Sequence, residues 1–134
     1  MIDVAKKLAL CLDLDDFSTA REFIDDNCIY KTADKILRGP NEILNSYKEN
    51  SLSAREKFDE IYYRSTVKMI ATNKFEMTYF DDLIKEKHKH TYICKQIVTV
   101  NASGKIEMIE HQEIPEQLSL LQLYYESIGL KNNS

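Results

Sequence analysis

From Phe58 onward the hydrophobic pattern changes period, and this change constrains the fold more than any other feature of the chain. Ile61, Tyr63, Ser65, Val67, Met69 and Ala71 alternate with Glu60, Tyr62, Arg64, Thr66 and Lys68. Successive side chains of a strand point to opposite faces, so the alternation predicts a strand over 58–71. That is far longer than the roughly 5–6 residues of a typical strand. Thr72-Asn73 suits a turn, and the next strand puts Phe75, Met77, Tyr79, Asp81 and Leu83 on one face. Glu86-Lys87 turns the chain into a strand over 88–100, and Ala102-Ser103-Gly104 turns it into a last one over 105–113. Long strands of this kind bend or curl, and can wrap around helices to leave a cone-shaped cavity.

Before Phe58 the period is helical. Ile2, Ala5, Leu8, Ala9 and Leu12 mark a first helix. Asp15 or Asp16 can cap a second, whose apolar face is Phe17, Ala20, Phe23 and Ile24. Asp25-Asp26-Asn27 ends it, and Cys28-Ile29-Tyr30 reads as a short strand. Gly39-Pro40 opens a third helix with proline at its favoured first position, and Ile43, Leu44 and Tyr47 form its buried stripe. Pro115 opens a final helix with Leu118, Leu121, Tyr125 and Ile128 inward and Gly129 as its stop. Three helices, a meander of antiparallel strands and a closing helix make an α+β order. The chain has 134 residues, which predicts one domain over 1–134.

The strand over 88–100 carries the chemistry. Val98 and Val100 mark its inward parity, yet the same parity reads His88, His90, Tyr92, Cys94 and Gln96. An unpaired buried polar group costs roughly 1–3 kcal/mol, so a polar run on a core face points to a pocket. Net charge is −4, which disfavours nucleic acid, and lysines are interspersed with acids as on a solvated surface. No window approaches a membrane span, and the start Met1-Ile2-Asp3-Val4-Ala5-Lys6-Lys7 lacks the apolar run of a signal peptide, so the expected location is cytoplasmic. Cys11, Cys28 and Cys94 match no zinc spacing or disulfide framework and are expected as reduced thiols.

Three segments carry a resemblance: Asp26-Asn27-Cys28-Ile29-Tyr30, Arg38-Gly39-Pro40-Asn41-Glu42-Ile43, and Gly104-Lys105-Ile106 running on through Ile109-Glu110-His111-Gln112-Glu113-Ile114-Pro115. In this order they resemble the nuclear transport factor 2-like superfamily, in its SnoaL-like and ketosteroid-isomerase-like branch. The resemblance implies a cone-shaped, strongly curved antiparallel β-sheet packed on N-terminal helices, a cystatin-like α+β roll with a C-terminal helix. It further implies a deep pocket at the open end and, commonly, a homodimer. The superfamily hosts isomerases, cyclases, dehydratases, epoxide hydrolases and non-catalytic binding proteins, so fold does not settle function.

The register of the last hairpin decides which residues face the pocket. If Ser103-Gly104 are the central turn residues, Gln96 faces His111, Val98 faces Ile109 and Cys94 faces Glu113. A three-residue loop with a bulge shifts the register by one and turns Met108, Glu110 and Gln112 inward instead. The resemblance favours the first arrangement, because SnoaL-like proteins carry an acid–base residue near the place of His111. The preceding hairpin pairs Asp81 with Tyr92 and Leu83 with His90. The expected catalytic set is therefore Asp81, His111 and Tyr92. The expected ligand-binding set is Tyr30, Tyr63, Tyr79, His90, Gln96 and Glu113. A histidine can relay a proton, a carboxylate can act as base, and a tyrosine can donate to an oxyanion. A metal set of His88, His90 and His111 lacks a clear carboxylate ligand, so neither metal nor cofactor is expected. The function expected is binding of a small hydrophobic molecule, with cofactor-free isomerisation, cyclisation or dehydration. A non-enzymatic ligand-binding or dimerisation module is the alternative. A protein-interaction domain using Tyr62, Ile93 and Ile97 on the outer sheet face is a third reading.

Overall fold

The computed structural model describes residues 1–130. Its elements follow the order α1 (Ile2–Asp13), α2 (Phe17–Ala20), β1 (Ile24–Lys31), β2 (Ile36–Arg38), α3 (Gly39–Lys57), β3 (Glu60–Ala71), β4 (Lys74–Lys85), β5 (His88–Val100), β6 (Ile106–Gln112) and α4 (Pro115–Ser127). Asp16 caps α2 by accepting the Thr19 N–H at 3.2 Å. The second helix is shorter than its apolar spacing predicts. A 3-10 turn over Arg21–Phe23 ends it, and Ile24 opens β1. β1 is thus a full strand, and β2 pairs antiparallel with it through Ile29 and Arg38, Tyr30 and Leu37.

The sheet itself corrects the expected architecture. It is neither cone-shaped nor wholly antiparallel, and it is not closed into a strongly curved roll. Its six strands form one open sheet in the order β2-β1-β6-β5-β4-β3. β1 runs parallel to β6, with Tyr30 beside Ile109, so the sheet is mixed. β2 and β3 are its two edges and do not pair with each other. The parallel contact joins strands far apart in the chain. No turn residue marks such a pairing, which is why only the hairpins were legible in the pattern. One face of the sheet is covered by helices: Leu8, Ala9, Ile43 and Leu44 pack in one core with Phe75, Met77, Val98 and Ile109.

The last hairpin combines both alternatives that the sequence left open. Asn101 N donates to Lys105 O at 2.8 Å across a three-residue loop, and Gly104 takes the left-handed conformation at φ 76°. That loop alone would turn the other parity of β6 inward. A bulge then intervenes: Val100 pairs with Ile106, but Thr99 pairs with Met108. The extra residue, Glu107, cancels the shift, so Gln96 pairs with His111 and Val98 with Ile109. Ile106 and Ile109 are both fully buried despite their odd spacing of three, the mark that the bulge leaves in the sequence.

α4 lies against the end of β5 that β6 does not reach. Gln117 Oε1 accepts the Ile93 N–H at 3.1 Å, satisfying a strand donor past the end of β6. The side chain that α4 buries is Tyr124, whose hydroxyl donates to the His88 carbonyl at 2.8 Å. Tyr124 packs with Phe58, Ile61 and Leu83 in a second apolar cluster, joined by Leu121, Tyr125 and Ile128. Leu118, expected inward, is exposed, because the hydroxyl's bond to β5 sets the rotation of the helix.

Candidate functional site

Strand pairing sorts the inner face of the sheet into cross-strand rows. Phe75 of β4, Val98 of β5 and Ile109 of β6 form a dry row. Next come Met77, Gln96 and His111, then Ser65, Tyr79 and Cys94, then Tyr63, Asp81 and Tyr92. Ile61, Leu83 and His90 close the series under α4. Apolar rows at both ends thus flank polar rows in the middle. Over those middle rows lies a cavity of about 790 Å³. Leu12 and Asp13 at the end of α1, and Tyr47 and Ser51 of α3, form its helical side. The volume lies in the range of small-molecule sites.

Gln96 is the hub of one wall. Only 3% of it is exposed, and it has every polar atom engaged. Tyr47 Oη donates to Gln96 Oε1 at 2.6 Å. Gln96 Nε2 donates to Tyr30 Oη at 3.3 Å and meets His111 Nδ1 at 3.1 Å. An amide N–H can donate to Nδ1 only if that nitrogen is bare, so this tautomer of His111 carries its proton on Nε2. From there it donates to Glu113 Oε1 at 2.7 Å. Tyr92 donates to the other oxygen of Glu113. The His111 bond, helped by Tyr92, holds the Glu113 carboxyl below its usual range. Burial, reinforced by Glu113, pushes the Tyr92 phenol up. Burial likewise raises Tyr30, to about 12, and keeps Tyr47 and Tyr79 well above the usual phenol value. These tyrosines are neutral donors at physiological pH.

The opposite wall is different. Asp81 accepts no hydrogen bond among the described residues, although it faces the cavity between Tyr63 and Tyr92. Desolvation, then the charges of Asp13 and Asp82, lift its carboxyl from 3.8 to about 7. Asp13 is also raised by burial, and Ser65 Oγ donates to it at 2.6 Å, which partly opposes the rise. Asp15 is paired: Arg55 Nη2 reaches its Oδ2 at 2.9 Å and Ser51 Oγ donates to it at 2.8 Å. Two carboxylates that disfavour each other's ionisation, with one left unpartnered, make a proton acceptor poised near neutral pH.

Of the residues picked out from the sequence, Asp81, His111, Tyr92, Tyr30, Tyr63, Tyr79, Gln96 and Glu113 all line this cavity. His90 does not. Its ring lies 4.9 Å from that of Tyr124 in the second cluster, and its Nε2 is buried without a partner. His90 faces inward as its parity requires, but α4 covers that row. Cys94 also lines the cavity, and burial pushes its thiol up, away from the reactive thiolate. Asp13, Tyr47 and Ser51 were missed. Their helical spacing shows which face they occupy but not which strand that face meets. Among the described residues no three His, Cys, Asp or Glu side chains converge as a metal site needs, and no helix is long and apolar enough to cross a membrane.

No protein-family model and no curated protein matches this sequence. Solved structures do. An NTF2-like protein of unknown function from Cytophaga hutchinsonii is 14% identical, covers 87% of this chain and 92% of its own, and has a TM-score of 0.61. An LEH-like epoxide hydrolase from M. tuberculosis is 13% identical, covers 96% of this chain and 95% of its own, and has a TM-score of 0.63. TerC, co-crystallised with polyporic acid, is 8% identical, covers 92% of this chain and 96% of its own, and has a TM-score of 0.69. At such identities the likeness establishes fold and no more: the chain shares the sheet-and-helix fold of these structures.

Proposed function

We propose that the chain binds a small hydrophobic molecule in this cavity and moves a proton on it without a cofactor. Asp81 is the base, and Tyr30 is the donor to the oxygen on which charge develops. The observation that carries this reading is the Asp81 carboxyl: it lines the cavity, has no partner among the described residues, and titrates at about 7. A base with a pKa near the working pH combines a useful ionised fraction with real basicity. Tyr30 receives a hydrogen bond from Gln96, and its own hydroxyl proton has no acceptor among the described residues. A phenol in that state can donate to a substrate carbonyl. Ionised Asp81 would take a proton from the carbon next to the carbonyl. The C–H electron pair would form a C=C bond and the carbonyl π pair would move onto oxygen, giving an enolate that Tyr30 would stabilise by its hydrogen bond. Isomerisation, cyclisation and dehydration can all begin this way. His111 and Tyr92, expected among the catalytic residues, are each committed to Glu113, which suits them to positioning the wall. That same saturation favours the second reading, a binding module without catalysis.

A nitrobenzisoxazole separates the two. A carboxylate in an apolar pocket removes its ring C–H proton while the N–O bond breaks, releasing a coloured cyanophenolate. The expected rate rises with pH through a midpoint of about 7 and is lost in Asp81→Asn. Equal rates in the wild type and in D81N would remove Asp81 as the base and leave the binding module.

A further inference from the structure

We infer that the cavity selects a cation: a small apolar molecule carrying a protonated nitrogen, its charge held by Asp13 and Asp81 and its body by tyrosine rings. The inference rests on the reading of the cavity as a ligand site and names the ligand's chemical class. It begins with the charges on the wall. Arg55 compensates Asp15, and Lys35 adjoins Asp34 on the loop between β1 and β2. Glu113 is bonded to His111 and Tyr92 and so already has its partners. Asp13 has one hydroxyl donor, Ser65, and Asp81 has none among the described residues. An anionic ligand would meet these carboxylates without a counter-charge. A neutral one would strip their water and return little. A cation alone compensates them.

The walls fit the same ligand. Tyr47, Tyr63, Tyr79 and Tyr92 line the cavity with Phe17. Aromatic faces attract cations, and most strongly where water is excluded. The molecule already uses this contact at the cavity's edge, where the Arg55 guanidinium lies 5.4 Å from the Tyr63 ring centre. Asp81 adds a signature of its own. The titratable groups around it are Asp13 of α1, Tyr63 of β3, Tyr79 and Asp82 of β4, Tyr92 and Cys94 of β5, and Tyr125 of α4. None of them is cationic. A bound ammonium would therefore bring the first positive charge to this carboxyl and expel its proton.

The test compares three probes of one shape by titration calorimetry at pH 7: phenethylammonium, phenethyl alcohol and phenylacetate. The expected order is ammonium at least about tenfold tighter than the alcohol, with phenylacetate weakest. Repeating the ammonium titration in buffers of different ionisation enthalpy should show release of about half a proton. D81N should lose most of the ammonium preference over the alcohol and release no proton. D13N should also reduce the preference, which keeps the test available if D81N fails to fold. Equal or tighter binding of the alcohol or of phenylacetate overturns the inference and leaves the cavity a ligand site. Binding of none of the three overturns both.

Discussion

Replacing Asp81 by asparagine should remove a pH-dependent penalty on folding. The carboxyl titrates at 3.8 when solvated and at about 7 in the folded protein. The folded state therefore holds the proton more tightly than the unfolded state does. The contribution of this carboxyl to stability is highest below pH 4, falls as pH rises through this window, and levels off above pH 7. At about 1.4 kcal/mol per tenfold change in proton affinity, the loss reaches about 2 kcal/mol at pH 5 and about 4 kcal/mol at pH 8. The asparagine side chain has the same shape as the protonated acid and does not titrate, so D81N should escape the loss. Groups that do not interact with Asp81 titrate alike in both proteins and cancel in the difference, which leaves Asp81 and its coupling to Asp13. Urea unfolding at several pH values supplies the comparison, because urea leaves charge interactions unscreened. The chain has no tryptophan, so far-UV circular dichroism is the readout. D81N should gain on the wild type by about 4 kcal/mol between pH 3.5 and pH 8. A difference that stays flat over this range would show a solvated carboxyl and refute the argument for a desolvated base.

Other expectations follow from the same geometry. Asp13→Asn removes the nearby charge acting on Asp81 and should lower the pH at which the loss levels off from about 7. A levelling-off pH that stays in place would show that Asp13 does not contribute and that burial and Asp82 set it. Gln96→Ala leaves Tyr47, Tyr30 and His111 without their shared partner and should cost about 2–4 kcal/mol in urea unfolding, whereas an exposed glutamine would cost almost nothing. Tyr124→Phe removes the donor to the His88 carbonyl while keeping the ring, and should cost about 1 kcal/mol, with faster amide exchange across the β4–β5 hairpin. Gly104→Ala places a Cβ at φ 76° with nothing within 4 Å, so strain alone should cost about 1 kcal/mol.

Much of the meander was legible because period-two alternation is a local signal. The register shift between Met69 and Ala71 that sets Tyr63 against Asp81 was not legible, but the pairings of Asp81 with Tyr92 and Gln96 with His111 follow once the strands and turns are placed. The last of these was open at the level of turns, since two loop lengths fit Ala102-Ser103-Gly104. The structure uses the longer loop and restores the register with the bulge at Glu107. Ile106 and Ile109, three apart and both apolar, were the available sign of it. The same reasoning placed His90 inward but could not show that α4 covers it, because the rotation of α4 depends on one hydroxyl reaching a strand carbonyl.

The amino-acid sequence by itself determined which side of each long strand faces inward, since backbone geometry forces alternate side chains apart. It thereby set a polar run beside Val98 and Val100 on one inward face and picked out Asp81 and Gln96, while the parity that brings His111 inward stayed open. Tertiary structure alone decided that the sheet is open and mixed, because β1 meets β6 across a distance in the chain that no turn residue records. It also decided that Asp13 arrives from α1 to share the cavity with Asp81. Burial first, and then that meeting, raise the proton affinity of Asp81, because the interaction of two charges depends on their separation in space and on the water removed around them.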